Sequence, residues 1–172
     1  MIGIVHGDIK CENVLIFKRS DGFVAKVIDF GYSCFGTTES ELVNVACTEP
    51  WEAPEHGDQF FQFSSARKMD IYSFGMLVCR TMLSKSLSTT VGKVGHFSTA
   101  EEIPAFLEYM KHLKSSTQFL DLVLQSLRES STIEETWKAD LEHIFRLCLQ
   151  HNTSMRAPGF SLIMAVLFPH ER

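Results

Sequence analysis

Apolar and polar positions divide the chain into a short strand-like opening and a long helical remainder. Residues 13–17, Asn-Val-Leu-Ile-Phe, form a brief apolar run with β-branched members, and residues 23–30, Phe-Val-Ala-Lys-Val-Ile-Asp-Phe, form a second. Between them lies Lys-Arg-Ser-Asp-Gly, whose Asp-Gly end is a strong turn signal. The two runs predict a β-hairpin. On this reading the hairpin carries the segment His-Gly-Asp-Ile-Lys-Cys-Glu-Asn at one mouth and Asp-Phe-Gly at the other. It thereby brings Asp8, Lys10, Asn13 and Asp29 near one another. From Tyr32 to Asn44 the pattern loses its period and reads as a long surface loop, a kind of segment that is often functional or mobile. Pro50 and Pro54 forbid a regular helix across residues 46–55.

From residue 70 the period changes. Ile71, Phe74, Leu77, Val78 and Met82 fall at helical spacing, and nearly every residue from 74 to 79 is apolar or small. That combination predicts a buried central helix over 70–83. Residues 84–100 are rich in Ser, Thr and Gly and read as a loop. Helices are expected over 100–113, 117–129, 132–152 and 157–168, the third with Thr132 and Glu135 at capping-box spacing. No internal repeat is visible. The expected fold class is mainly α, α+β overall: a helical bundle with one small β-hairpin.

Composition narrows the classes of function. A length of 172 residues suits one domain with a real core. The net charge of −5 argues against a nucleic-acid or anionic-membrane surface, so neither partner is expected. The apolar run Leu162–Phe168 is far short of the roughly 20 residues that cross a bilayer. The N-terminus lacks the basic stretch and apolar core of a secretory signal. The five cysteines, at 11, 34, 47, 79 and 148, are odd in number and form no Cys-x-x-Cys pair. A zinc site or disulfide framework is therefore not expected. Reduced core cysteines fit an intracellular protein, expected in the cytoplasm.

The chemistry lies in five ordered signatures. His-Gly-Asp-Ile-Lys-Cys-Glu-Asn-Val-Leu at 6–15 resembles the catalytic loop of eukaryotic protein kinases, with Gly7 where arginine is usual. Asp-Phe-Gly at 29–31 resembles the metal-binding triplet of that family. Residues 47–55, Cys-Thr-Glu-Pro-Trp-Glu-Ala-Pro-Glu, resemble the close of its activation segment, with Cys47 in place of the usual glycine. Asp-Ile-Tyr-Ser-Phe-Gly at 70–75 resembles the start of its long buried helix, and residues 148–158 resemble its final conserved-type stretch ending in Arg-Ala-Pro. Each signature alone is weak, but their order is specific. The resemblance places a partial kinase domain over 1–172: catalytic loop 6–15, activation segment 29–55, central helix 70–83 and C-terminal helices 100–168. It implies the large, C-terminal lobe. Nothing matches the small lobe's Gly-rich phosphate loop or its strand lysine, so weak or absent activity is expected of this stretch alone.

The resemblance also implies roles. Asp8 would accept the proton of a substrate hydroxyl. Lys10 would place positive charge on the transferring phosphate of ATP. Asn13 and Asp29 would offer hard oxygen ligands to Mg2+. Thr48 would bond the catalytic aspartate and lysine, which favours a serine or threonine substrate, while Trp51 also suits tyrosine-kinase-like relatives. Gly31 would supply backbone freedom. His6, Glu55, Asp70 and Arg156 are read as structural: His6 beneath the loop, Glu55 and Arg156 as a buried ion pair, and Asp70 as an acceptor for loop amides. Gly7 removes one cation from the neighbourhood of Thr37, Thr38 and Ser40, which lowers the expectation that phosphorylation of these residues switches activity on. The expected partner is a protein substrate, with association possible through an apolar face where a small lobe would dock. The alternative is a non-catalytic, kinase-like interaction module.

Overall fold

Ser20 and Asp21 turn the chain between two six-residue strands, and the rest of the architecture follows from where that hairpin is anchored. The computed structural model describes residues 3–46, 48–57, 59–83 and 102–168. The hairpin pairs β2 (Val14–Arg19) with β3 (Gly22–Val27) in antiparallel register, from Val14 opposite Val27 to Arg19 opposite Gly22. Two smaller ribbons flank it. Strand β1 (Gly3–Val5) pairs with β4 (Cys34–Gly36), and β5 (Leu42–Val43) pairs with β6 (Phe61–Gln62). Five helices follow among the described residues: α1 (Phe63–Leu83), α2 (Glu102–Lys114), α3 (Gln118–Glu129), α4 (Glu135–Cys148) and α5 (Phe160–Leu167).

Helix α1 is apolar around most of its circumference and forms the axis of the core. Its Ile71, Tyr72, Met76 and Cys79 are buried, facing Phe119 and Val123 of α3 and Ile144, Phe145 and Cys148 of α4 among other residues of one continuous cluster. Each such fully buried large side chain contributes about 1.5–3 kcal/mol relative to exposure. Gly75 sets how closely α1 and α4 approach: a Cβ there would lie 2.6 Å from the Cβ of Cys148. On α3 the buried set Phe119, Leu120, Val123, Leu124 and Leu127 follows the helical period, so one stripe faces inward and the other faces solvent. Pro104 falls in the first turn of α2, where its missing N–H has no helical partner to lose.

The structure departs from several of these expectations. The catalytic-type loop and the Asp-Phe-Gly triplet do not sit at opposite mouths of the hairpin. An antiparallel pair puts the residue before its first strand beside the residue after its second, so both lie at the same open end. The Ile28 amide accordingly donates to the Asn13 carbonyl at 2.9 Å. The segment 32–44 is not all loop, since it contributes β4 and β5 to ribbons. Helix α1 starts two turns before residue 70. No capping box forms at α4, because the Thr132 hydroxyl lies 3.1 Å from that of Ser130 and the helix begins only at Glu135. The expected loop at 84–100 and the substitution at Cys47 lie outside the described residues.

The hairpin itself is thinly covered. Leu15, Ile16, Phe17, Phe23 and Val27 are all exposed, on both of its faces. Its attachment to the helical body is therefore concentrated at the open end, where the polar residues gather.

Candidate active site

Helix α1 fixes the loop from below. Asp70, in a buried stretch of that helix, accepts from the backbone amides of His6 at 2.6 Å and Gly7 at 2.9 Å. Burial raises the Asp70 carboxyl above its usual value, and the Gly7 and His6 amides only partly offset this. His6 continues the attachment. Its Nδ1 accepts from the Asp8 amide at 3.2 Å, so the ring hydrogen resides on Nε2, which donates to the Ile28 carbonyl at 3.0 Å. The imidazole thus joins the loop to the end of β3. Gly7 adopts φ +80°, and a Cβ on it would come 3.0 Å from the Tyr32 carbonyl oxygen. This position demands glycine on both counts.

On that platform Asp8, 5% exposed, is surrounded by donors. Lys10 Nζ lies 2.6 Å from Asp8 Oδ2, and the Asn13 side-chain amide donates to the same oxygen at 3.0 Å and to the Asp8 carbonyl at 2.8 Å. Thr48, 40 residues along the chain, donates from Oγ1 to Asp8 Oδ1 at 2.7 Å and accepts from Lys10 Nζ at 2.9 Å. Asp8, Lys10 and Thr48 thus form a closed triangle. Burial pushes the Asp8 carboxyl up, but the hydrogen bonds from Lys10 and Thr48, the Lys10 charge and the Asn13 amide outweigh it. The net result lies below the usual carboxylate value. Asp8 is therefore an anion at neutral pH. Oδ1 carries a single hydrogen bond, so one lone pair remains to accept another.

These groups open onto a cavity of about 510 Å3 lined by Asp8, Lys10, Thr48, Tyr32, Asn44 and His56 among others. Asp29 stands outside that lining. It is exposed, at the hairpin's open end, one residue beyond the Ile28 amide that binds the Asn13 carbonyl. Its φ of 63° puts it in the left-handed region, where aspartate is among the more tolerant residues. Its Oδ1 accepts from the Gly31 amide at 3.2 Å. The left-handed angle thus falls on Asp29. Gly31 is small for another reason, since a Cβ there would lie 3.1 Å from Asp29 Oδ1.

The donor set fits a hard cation. Both Asn13 hydrogen bonds use its amide nitrogen and leave Oδ1 for a ligand, and Asp29 adds a carboxylate on the same end of the hairpin. Among the described residues no group of three His, Cys, Asp or Glu could hold a metal. Magnesium does not require one, because it commonly binds through one or two protein oxygens, with substrate phosphates and water completing the shell.

A family model described as the protein kinase domain matches residues 2–166. The chain belongs to the protein kinase family. It is 32% identical over 167 residues to cysteine-rich receptor-like protein kinase 4 of Arabidopsis thaliana, covering 95% of this chain and 23% of that one. It is 29% identical over 168 residues to serine/threonine/tyrosine-protein kinase HT1 of the same plant, covering 96% of this chain and 34% of the relative. It is 42% identical over 79 residues to serine/threonine-protein kinase kin-29 of Caenorhabditis elegans, covering 44% and 9%. The chain thus spans about a third or less of the length of these three kinases.

Within this kinase-family chain the structure brings Asp8, Lys10, Asn13 and Thr48 into one network and leaves Asp29 outside it, at the hairpin's open end and bonded to the Gly31 amide. Sequence reasoning missed Glu52 and Lys114, which pair in the interior, and His56, whose Nε2 lies 3.0 Å from the Val45 carbonyl beside the cavity. A lysine in the last turn of a helix reads as a solvated partner of the helix dipole. Only the two further basic residues in the last turn of α2, Lys111 and His112, hint at a use beyond that.

Proposed function

We propose that the chain is the large-lobe part of a protein kinase domain that transfers a phosphoryl group from ATP to a serine or threonine hydroxyl of a protein. The observation that carries this reading is the Asp8–Lys10–Thr48 triangle. An ionised carboxylate with one free lone pair on Oδ1 is suited to accept a hydroxyl proton and aim its oxygen. Lys10 Nζ, already beside Oδ2, supplies positive charge where a transferring phosphate would gather negative charge. Thr48 holds Oδ1 and Nζ in fixed relation, and its presence favours hydroxyl substrates on serine or threonine. Asn13 Oδ1 and the Asp29 carboxylate would hold Mg2+, which neutralises nucleotide phosphates when bound. Asp70 and His6 keep the loop in place without touching reactants. The exposed apolar hairpin supports association through that face, with a small lobe as its natural cover.

The test is ATP binding with and without Mg2+, on this chain and on a version extended upstream. Magnesium is expected to tighten binding, and Asn13→Ala or Asp29→Asn to abolish the difference. Asp8→Asn should leave binding intact and remove transfer to a protein hydroxyl in the extended version. Equal binding with and without Mg2+ in both chains would refute the proposal.

A further inference from the structure

The last turn of α2 reaches across to the segment that carries Thr48. Lys114 is 2% exposed, an unusual place for an ammonium group. It donates to the Pro50 carbonyl at 3.0 Å, to the Glu52 carbonyl at 2.8 Å and to Glu52 Oε1. One turn earlier Lys111 pairs with Glu49 at 2.9 Å. From α1, Ser73 donates to the Trp51 carbonyl at 2.9 Å. The carbonyls of residues 50, 51 and 52 are therefore each held by a helix side chain. The Trp51 amide donates to the Thr48 carbonyl at 2.8 Å and ties this strip to the threonine that contacts Asp8.

Stability does not account for the lysine. A buried ion pair commonly does no better than an apolar pair of the same volume. Here Glu52 Oε2 is also buried without a hydrogen-bond partner, which weakens the pair further. What two apolar side chains could not do is grip two main-chain carbonyls of the strip.

We propose that Lys114 is a positioning residue, which sets Thr48 Oγ1 on Asp8 Oδ1 by fixing the carbonyls of Pro50 and Glu52. It touches no reacting atom and acts through residues 48–52. Its meaning for catalysis rests on the phosphoryl-transfer reading above, whereas the mechanical coupling does not.

The coupling can be read without any activity, from the carbon-13 NMR shift of the Asp8 carboxyl at a fixed neutral pH, assigned against Asp8→Asn. Lys10, Thr48, the Asn13 amide and the His6-bound amide of Asp8 face that carboxyl, and only Thr48 is linked to Lys114 through the strip. Five chains are compared: wild type, Thr48→Val, Lys114→Met, Lys114→Met with Glu52→Leu, and that pair with Thr48→Val added. Removing the Thr48 donor, 2.7 Å from Asp8 Oδ1, is expected to move the Asp8 carboxyl signal. The Lys114→Met/Glu52→Leu chain is expected to fold and to move that signal in the same direction, with no further movement when Thr48→Val is added. Exchange of the Trp51 amide should quicken about tenfold, the equivalent of one hydrogen bond, while that of Phe145 in α4 stays as it was. A folded Lys114→Met/Glu52→Leu chain with the wild-type Asp8 signal would overturn the proposal. Lys114→Met alone leaves Glu52 buried without its cation, so the double variant decides if the single one does not fold. If the double variant also fails to fold, Lys114 holds the whole structure and the positioning role falls. A chain that keeps the coupling but binds ATP without regard to Mg2+ would remove the kinase reading and leave this inference standing.

Discussion

Glu55 and Arg156, 101 residues apart, meet in a two-pronged pair, with Nη1 2.6 Å from Oε1 and Nη2 2.7 Å from Oε2. The arginine side chain is fully buried and its remaining donors are also used. Nε bonds the Gln150 carbonyl at 2.8 Å, Nη1 also reaches the Lys68 carbonyl at 3.3 Å and Nη2 the His151 carbonyl at 3.2 Å. The Tyr72 ring lies 4.7 Å away, in cation–π contact. One guanidinium thus joins the end of the Thr48 strip, the central helix and the C-terminal turn. Arg156→Met strands the Glu55 charge and is expected to lower stability by about 3–5 kcal/mol. Arg156→Lys should recover little, because an ammonium cannot reproduce the fork. Urea midpoints measure both, and a lysine variant as stable as wild type would refute this account.

Restoring the arginine common at position 7 should harm this protein. Gly7 sits at φ +80° with the Tyr32 carbonyl 3.0 Å from where a Cβ would be. Gly7→Arg is expected to cost about 1–2 kcal/mol from the left-handed backbone alone, and Gly7→Ala nearly as much. Thermal unfolding of the two variants checks this. Equal or raised melting temperatures would show that the loop readily adopts another backbone path.

The hairpin was legible because Asp-Gly and two β-branched runs are local signals. Its geometry at the open end needed the pairing register, which a turn signal does not supply by itself. The first two turns of α1 escaped because Ser64, Ser65 and Arg67 interrupt the apolar period, and contacts with β5 and β6 determine the helix there. Three-residue strands such as β1 and β4 have too few positions to show alternation. Asp8, Lys10 and Asn13 lie within six residues of one another, whereas Thr48, 40 residues from Asp8, was legible only through family resemblance. Glu52 and Lys114 were not, because nothing in either's neighbourhood announces a partner 62 residues away.

The acid side of the stability profile should carry the signature of Asp8. Its carboxyl lies below the usual value in the folded state, so it contributes stability at pH above the ordinary aspartate range. That contribution disappears as pH falls through the lower folded value. Thr48→Val removes one of the donors responsible. The wild-type advantage over Thr48→Val is therefore expected to hold at neutral pH and to shrink below about pH 4, where unfolded aspartate protonates. Denaturant titrations of both chains from neutral to acid pH test this, and a gap that widens toward acid would contradict it.

The thiols should fall into reactivity classes set by burial. Burial pushes both Cys79 and Cys148 up to about 12. At pH 8 the thiolate fraction is then on the order of one in ten thousand. Cys11 and Cys34 are raised less and are partly exposed. In the native protein Cys11 and Cys34 are expected to label with an aromatic disulfide reagent first. Cys79 and Cys148 should label only at the rate of unfolding, followed by mass spectrometry of the labelled peptides. Fast native labelling of either would mean that the α1–α4 interface opens far more readily than its packing implies.

His6 carries a last consequence. Both of its ring nitrogens are committed to the main chain, one receiving a hydrogen from its neighbour and the other handing one across to the end of the second strand. Such a ring is a rivet and makes a poor ferryman. With neither nitrogen spare, the ring pins the loop to its seat and carries no proton to or from a reactant.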